Sequence, residues 1–125
     1  MAIPSGAGTE VLKRHTSVGS TNDFNSATAI LTVTTNHIYI ILTIIICETG
    51  SASEGLYMSI TDADVSNQEI FLLRGTTAGA GSLTSLQTFI WDDKFVMDSA
   101  DTLRFQTDNA SNLDIHISYI DQDWT

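Results

Sequence analysis

A chain of 125 residues can bury one hydrophobic core without metals or disulfides, and it is too short for two ordinary domains. Its formal charge of −10, from 15 acidic and 5 basic residues, excludes a protein that holds a nucleic-acid backbone through clustered cations. One cysteine, Cys47, lies in the most apolar segment and predicts a buried free thiol rather than a disulfide or a metal ligand.

The first segment predicts an arm that leads into a strand. Residues 1–9 are small and uncharged, and they lack the basic start and apolar centre of a signal peptide, so we expect synthesis inside the cell. From Glu10 the pattern becomes amphipathic and ends in the adjacent cations Lys13 and Arg14. We predict a docking arm over residues 1–14 and a β-sandwich domain over residues 15–125; a disordered tail is the alternative for the arm.

The segment His37–Cys47 predicts a buried strand. Most of its residues are β-branched and none is an acid, a lysine or an arginine. Such side chains lose χ1 freedom in a helix and pack well on a pleated surface. The composition favours burial on both faces of the strand.

The rest of the chain alternates between apolar and polar residues with a period of two, and turn-forming Gly, Asn, Asp and Ser clusters separate the alternating stretches. Eight strands follow from this pattern: Glu10–His15, Thr28–Thr35, His37–Cys47, Leu56–Asp62, Glu69–Arg74, Gln87–Met97, Thr102–Thr107 and Leu113–Asp121. The predicted fold class is all-β, a single antiparallel β-sandwich of the eight-stranded jelly-roll type. A barrel and an immunoglobulin-like sandwich share the same pattern.

No motif points to catalysis, a cofactor or a metal. The stretch from Asp62 opens like a calcium loop, but its sixth and twelfth positions are Asn67 and Leu73 where glycine and glutamate are needed, so it predicts a polar turn. The three histidines fall in separate predicted strands without a neighbouring ligand pair. The sequence therefore predicts a protein that is not an enzyme.

Two tryptophans pose a separate question. Trp91 predicts a core or interface plug, with sugar stacking as the alternative. Trp124 stands next to the last residue, where an aromatic side chain is typical of a docking contact.

Five stretches carry a family resemblance: MAIPSGAGTEVLKR, NHIYIILTIIICE, EIFLLRG, FIWDDKFVM followed by DTLRF, and ISYIDQDWT. Together they resemble small virion structural proteins of tailed bacteriophages of marine bacteria, notably cyanophages. The resemblance implies a place on the virion, with no cofactor.

Two roles are open under that resemblance. The first is a capsid decoration or cement protein, a homotrimer whose arm lies along the major capsid protein or another virion protein. The second is a tail or fibre-tip module whose loops contact a host receptor or glycan. Because the loops hold almost no aromatic residues, we favour the first role. We expect neither binding to nucleic acid nor insertion into a membrane. The predicted docking residues are Ile3, Pro4, Val11, Leu12, Lys13, Arg14 and Trp124.

Overall fold

The computed structural model describes residues 8–18, 24, 26–50, 54–75, 82–83, 87–108 and 113–124. These residues form β1 (Thr9–Ser17), β2 (Thr28–Thr32), β3 (His37–Glu48), β4 (Glu54–Asp62), β5 (Gln68–Arg74), β6 (Ser82–Leu83), β7 (Thr88–Trp91), β8 (Phe95–Met97), β9 (Thr102–Thr107) and β10 (Leu113–Asp123). Nine of these described strands have three or more residues, and β6 has two.

The strands form two antiparallel sheets. Sheet I has the order β1-β10-β3-β7, and β8 also pairs with β3. Sheet II has the order β2-β9-β4-β5, and β6 also pairs with β4. Since β7 and β8 occupy the same side of β3, they count as one interrupted strand, which leaves four main strand positions in each sheet. The predicted all-β fold, an antiparallel sandwich of the jelly-roll type, is confirmed. The predicted count of eight strands is wrong, because the described residues form nine strands of three or more residues.

The strand predicted as Gln87–Met97 is two strands because its register with β3 shifts. Trp91 lies opposite Ile44 and Phe95 lies opposite Ile41, so the edge strand holds one residue more than β3 over this stretch. The extra length is taken up by Asp92–Lys94, which are exposed. A charged irregularity of this kind on an edge strand bends it and limits edge-to-edge pairing.

The core lies between the two sheets. Its completely buried side chains come from both sheets and include Ile41, Ile44, Ile46, Leu56, Met58, Leu103, Phe105, Leu113 and Ile117. Trp91 packs against this core and donates from its indole Nε1 to the carbonyl oxygen of Asp93 at 2.8 Å, as expected for a core plug.

Burial of β3 differs from the prediction of a strand buried on both faces. Tyr39 and Ile41 face the core, and after a bulge at Leu42 the core-facing residues are Ile44 and Ile46. A strand in a two-layer sandwich has only one covered face. The other face of β3 is therefore apolar and partly exposed, and Cys47, predicted to be buried, is a half-buried free cysteine on it.

Candidate assembly surface

An apolar row crosses the outer face of sheet I from edge to edge. Leu12 of β1 lies opposite Ile120 of β10, Ile120 opposite Ile40 of β3, and Ile40 opposite Val96 of β8. The two ends of the row are the most open, since Leu12 is 71% and Val96 60% exposed. Directly opposed side chains on one face of a sheet lie within contact distance, so these four form one continuous apolar strip.

A second apolar pair lies on the same face. Ile45 of β3 lies opposite Ile90 of β7, and these side chains are 38% and 59% exposed. Between the pair and the row, the bulge turns both Leu42 and Thr43 outward, and with Leu12 and His116 they line a shallow depression. We call the outer face of sheet I, defined by Leu12, Ile40, Ile45, Ile90, Val96 and Ile120, the apolar face.

The outer face of sheet II is different in kind. Ser59 donates a hydrogen bond to Glu69 at 2.6 Å, Tyr57 donates to Asp108 at 2.8 Å, and the Arg74 guanidinium lies 5.0 Å from the centre of the Phe71 ring. These groups satisfy one another within the chain. The polar groups named here therefore have partners within the chain, whereas the row on sheet I consists of apolar side chains.

The apolar face is close in size to one side of a standard protein–protein interface. Four strands about 4.8 Å apart and roughly 30 Å long give a face of roughly 600 Å² in projection. A standard protein–protein interface buries about 800 Å² on each partner. Since the true surface exceeds its projection, this face alone approaches the required area.

A buried carboxylate fastens the edge strand β1 to the rest of sheet I. The Asp121 side chain on β10 is only 4% exposed, and Lys13 Nζ of β1 donates to its Oδ2 at 2.7 Å. His37 Nδ1 of β3 lies 2.7 Å from the other oxygen, Oδ1. One carboxylate thus bridges three adjacent strands.

This cluster shifts the pKa of its members in opposite directions. Burial by itself raises the pKa of Asp121, but the hydrogen bonds from Lys13 and His37 outweigh it and hold the pKa below its ordinary value. The hydrogen bond to Asp121 raises the pKa of Lys13. The stabilisation by the Asp121 carboxylate is therefore present above the pKa of an unfolded aspartate and is lost as the pH falls through the lowered pKa of Asp121. The stabilisation by the Lys13 ammonium is present below the pKa of an unfolded lysine and is lost as the pH rises through the raised pKa of Lys13.

The substitution Asp121→Asn is expected to lower the free energy of unfolding by about 1–3 kcal/mol at pH 7, since charge-assisted hydrogen bonds to the carboxylate are lost. The difference from the unsubstituted protein should disappear in acid, where Asp121 itself becomes protonated. Denaturant unfolding at neutral and acidic pH measures both effects. The exposed Asp92→Asn is the control, and an equal loss at both pH values would show that charge on Asp121 has no part in the stabilisation.

The structure places the predicted docking residues as follows. Val11, Leu12, Lys13 and Arg14 lie on β1; Val11 and Lys13 point to the side of the core, and Leu12 and Arg14 point outward with the apolar face. Ile3 and Pro4 lie outside the described residues. Of these described residues, only Leu12 belongs to the apolar row, and the docking role of the whole set stays a prediction.

Trp124 lies beside the start of β1. Its backbone N–H donates to the carbonyl oxygen of Asn36 at 3.0 Å, and its ring is so close to Gly8 that a Cβ there would come within 3.0 Å of ring atoms. The two ends of the described chain therefore meet at one end of sheet I, where Trp124 is half-buried. A Cβ at Gly8 would also lie 2.8 Å from the backbone carbonyl oxygen of Asp123, so a side chain there would require both the backbone and the ring to shift.

Sequence reasoning missed five members of the apolar face: Ile40, Ile45, Ile90, Val96 and Ile120. The available signal was the double-faced apolar pattern of His37–Cys47, because a two-layer sandwich cannot cover both faces of any strand. Assignment to the outer face also requires the strand register, which the sequence does not give.

The described residues contain no group of three or more His, Cys, Asp or Glu side chains placed to hold a metal ion. At the calcium-like stretch, Asp62 instead accepts a hydrogen bond from the backbone N–H of Asp64 at 2.9 Å and caps a short 3-10 turn at Ala63–Val65. This is the polar turn that was predicted. Across the same described part of the chain, no helix has the length and apolarity needed to cross a membrane.

No family model matches the sequence, and no curated protein matches it. Among solved structures, a subunit from Bacillus endospore appendages, which form disulfide-linked pili, is 10% identical with a TM-score of 0.58 and covers 100% of this chain and 97% of its own. A chain of infectious bursal disease virus is 10% identical with a TM-score of 0.49, over 96% of this chain and 34% of its own. A chain of the cyanophage Pam1 capsid is 13% identical with a TM-score of 0.41, over 98% and 92%. The likeness to the appendage subunit shows a shared fold.

Proposed function

We propose that this chain is a non-enzymatic structural protein of a bacteriophage virion, a capsid decoration or cement protein that attaches through its N-terminal arm and its apolar face. The observation that carries the proposal is the four-residue apolar row across the outer face of sheet I in a protein with a formal charge of −10. Exposed apolar side chains in a continuous row do not stabilise an isolated subunit, and such patches mark sites of interaction with other molecules.

Burial supplies the driving force for attachment. Covering an exposed Val, Leu or Ile side chain contributes about 1.5–3 kcal/mol, and Leu12, Ile90 and Val96 are each more than half exposed. The partner surface is a set of shell subunits, in keeping with the sequence resemblance to phage virion proteins. The protein is made in the host cytoplasm and reaches the particle during assembly.

The fold is compatible with an assembly role. The appendage subunit with the same architecture is described as forming pili, so this type of sandwich can act as a building block. Because fold by itself does not determine function, the apolar face carries the proposal.

Rebinding to particles that lack the protein tests this function. The purified full-length chain is mixed with phage particles grown without its gene, and bound copies are counted by quantitative mass spectrometry. We expect saturation at a copy number set by the shell lattice. Saturation at a few copies, as at a tail or fibre tip, or no binding at all, contradicts the decoration role.

A variant that lacks residues 1–8 keeps β1 and separates the two parts of the attachment surface. If the arm contributes to attachment, this variant binds more weakly than the full chain. Equal binding by both would show that residues 1–8 of the arm have no part in attachment.

A further inference from the structure

The edge strand β1 is long and regular, and among the described strands it pairs with β10 alone. It pairs with β10 over nine residues, from Thr9 opposite Asp123 to Ser17 opposite Ile115, without a shift in register. No other described strand pairs with β1. A long and regular edge presents a row of backbone N–H and C=O groups that can pair with another strand.

We propose that this edge pairs with the β1 edge of a second copy of the chain, antiparallel, about a two-fold axis at Leu12. In that arrangement Leu12 faces Leu12, and Glu10 of each copy faces Arg14 of the other. Two opposite-charge pairs thus flank one apolar pair, all on the outer face. Opposite charges at directly opposed positions stabilise an antiparallel pair.

Arg14 and Glu10 can both make the ion pairs that this arrangement requires. Among the described residues, the Arg14 guanidinium has no hydrogen-bond or ion-pair partner, and its side chain is exposed. Glu10 accepts a hydrogen bond from Gln122 Nε2 through Oε1 at 2.6 Å, and its second oxygen can accept from an arginine. The strand therefore presents one available cation and one available carboxylate oxygen, evenly spaced about Leu12.

Other registers of this antiparallel pair place less favourable side chains opposite each other. A one-residue slip would put the outward side chains of one copy on the core side of the other. With the axis at Lys13, the two Lys13 side chains would face each other and Leu12 would face Arg14. With the axis at Val11, Leu12 would face Glu10. Only the axis at Leu12 sets both charges against their opposites.

Two further features favour the pairing. An inward-pointing lysine usually protects an edge strand from pairing, but Lys13 is neutralised within its own sheet by Asp121 at 2.7 Å. The pairing also joins the apolar rows, because Val96, Ile40, Ile120 and Leu12 of one copy continue into Leu12 of the next. The dimer thus has one apolar strip across both copies. The pairing depends on the edge of sheet I and is independent of attachment to a shell.

A charge-swap series tests the pairing by analytical ultracentrifugation of the full-length chain over a dilution series. The unsubstituted protein should form dimers. Arg14→Glu and Glu10→Arg should each weaken the dimer at least about tenfold, because attraction becomes repulsion at two symmetry-related positions. The double variant with both changes should dimerise within about threefold of the unsubstituted protein, since the charges are again complementary. Both sites are exposed, and circular dichroism checks that each variant is folded.

A protein that stays monomeric contradicts the inference. So does a trimer, which the sequence resemblance implied, because a two-fold strand pair gives two copies. Single variants that dimerise normally, or a double variant that fails to recover, would place the interface elsewhere. Each of these outcomes is independent of rebinding to phage particles.

Discussion

Replacing Ile90 and Val96 together by lysine is expected to weaken binding to the phage shell at least about 100-fold while leaving the fold intact. The two side chains are 59% and 60% exposed on the apolar face, so they contribute little to the core. At an interface they would be covered, and the variant would lose apolar burial and bury two unpaired cations. Removal of a hot-spot side chain from an interface costs about 2 kcal/mol or more of binding free energy.

The chain offers a matched control for this variant. Ile70 and Val65 are 46% and 49% exposed, and they belong to β5 of sheet II and to the turn that precedes it. The variant Ile70→Lys with Val65→Lys therefore makes the same chemical change away from the apolar face. Binding to gene-deleted particles and denaturant unfolding are measured for both variants. Equal loss of binding by the two would mean that general charge, and not the apolar face, governs attachment.

Phe105→Ala is expected to lower the free energy of unfolding by about 3–5 kcal/mol, which is a large share of the roughly 5–15 kcal/mol of a typical domain. Phe105 lies on β9 with its side chain completely buried, and Met58 of β4 lies opposite it in the core. The neighbouring strands of sheet II are held by their backbone pairing and cannot collapse fully into the space that the ring leaves.

Phe71→Ala is the matched control, because the Phe71 ring is 42% exposed on the outer face of sheet II. Its expected loss is below about 1 kcal/mol, mainly from the contact with Arg74. Denaturant titrations of both variants at neutral pH give the comparison. A larger loss for Phe71→Ala than for Phe105→Ala would show that the inner and outer faces of sheet II are assigned the wrong way round.

The alternation of the sequence was sufficient to predict the fold class, since it depends on side chains that point in turn to core and solvent. Leu113, Ile115 and Ile117 are buried as their spacing predicts. The prediction of a single strand over Gln87–Met97 was wrong, because the break at Asp92–Lys94 follows from a register shift against β3. A partner strand distant in sequence sets that shift, so local pattern does not reveal it.

The candidate surface was predictable only in part. Leu12 was selected because it is apolar on a short amphipathic segment, and it does lie on the apolar face. Ile40, Ile120 and Val96 come from three different strands, and they form a row only through the pairing of β10 with β3 and of β3 with β8. Asp121 was likewise not predicted as a bridge, because its partners Lys13 and His37 are 108 and 84 residues away in sequence.

A cryo-electron-microscopy map of the intact phage particle, resolved well enough to orient this chain, tests the central claim most directly. We expect density on the capsid lattice, with the outer face of sheet I against shell subunits and Ile90 and Val96 covered. Density only at the tail or at a fibre end, or a subunit on the shell with sheet I facing solvent, would contradict it.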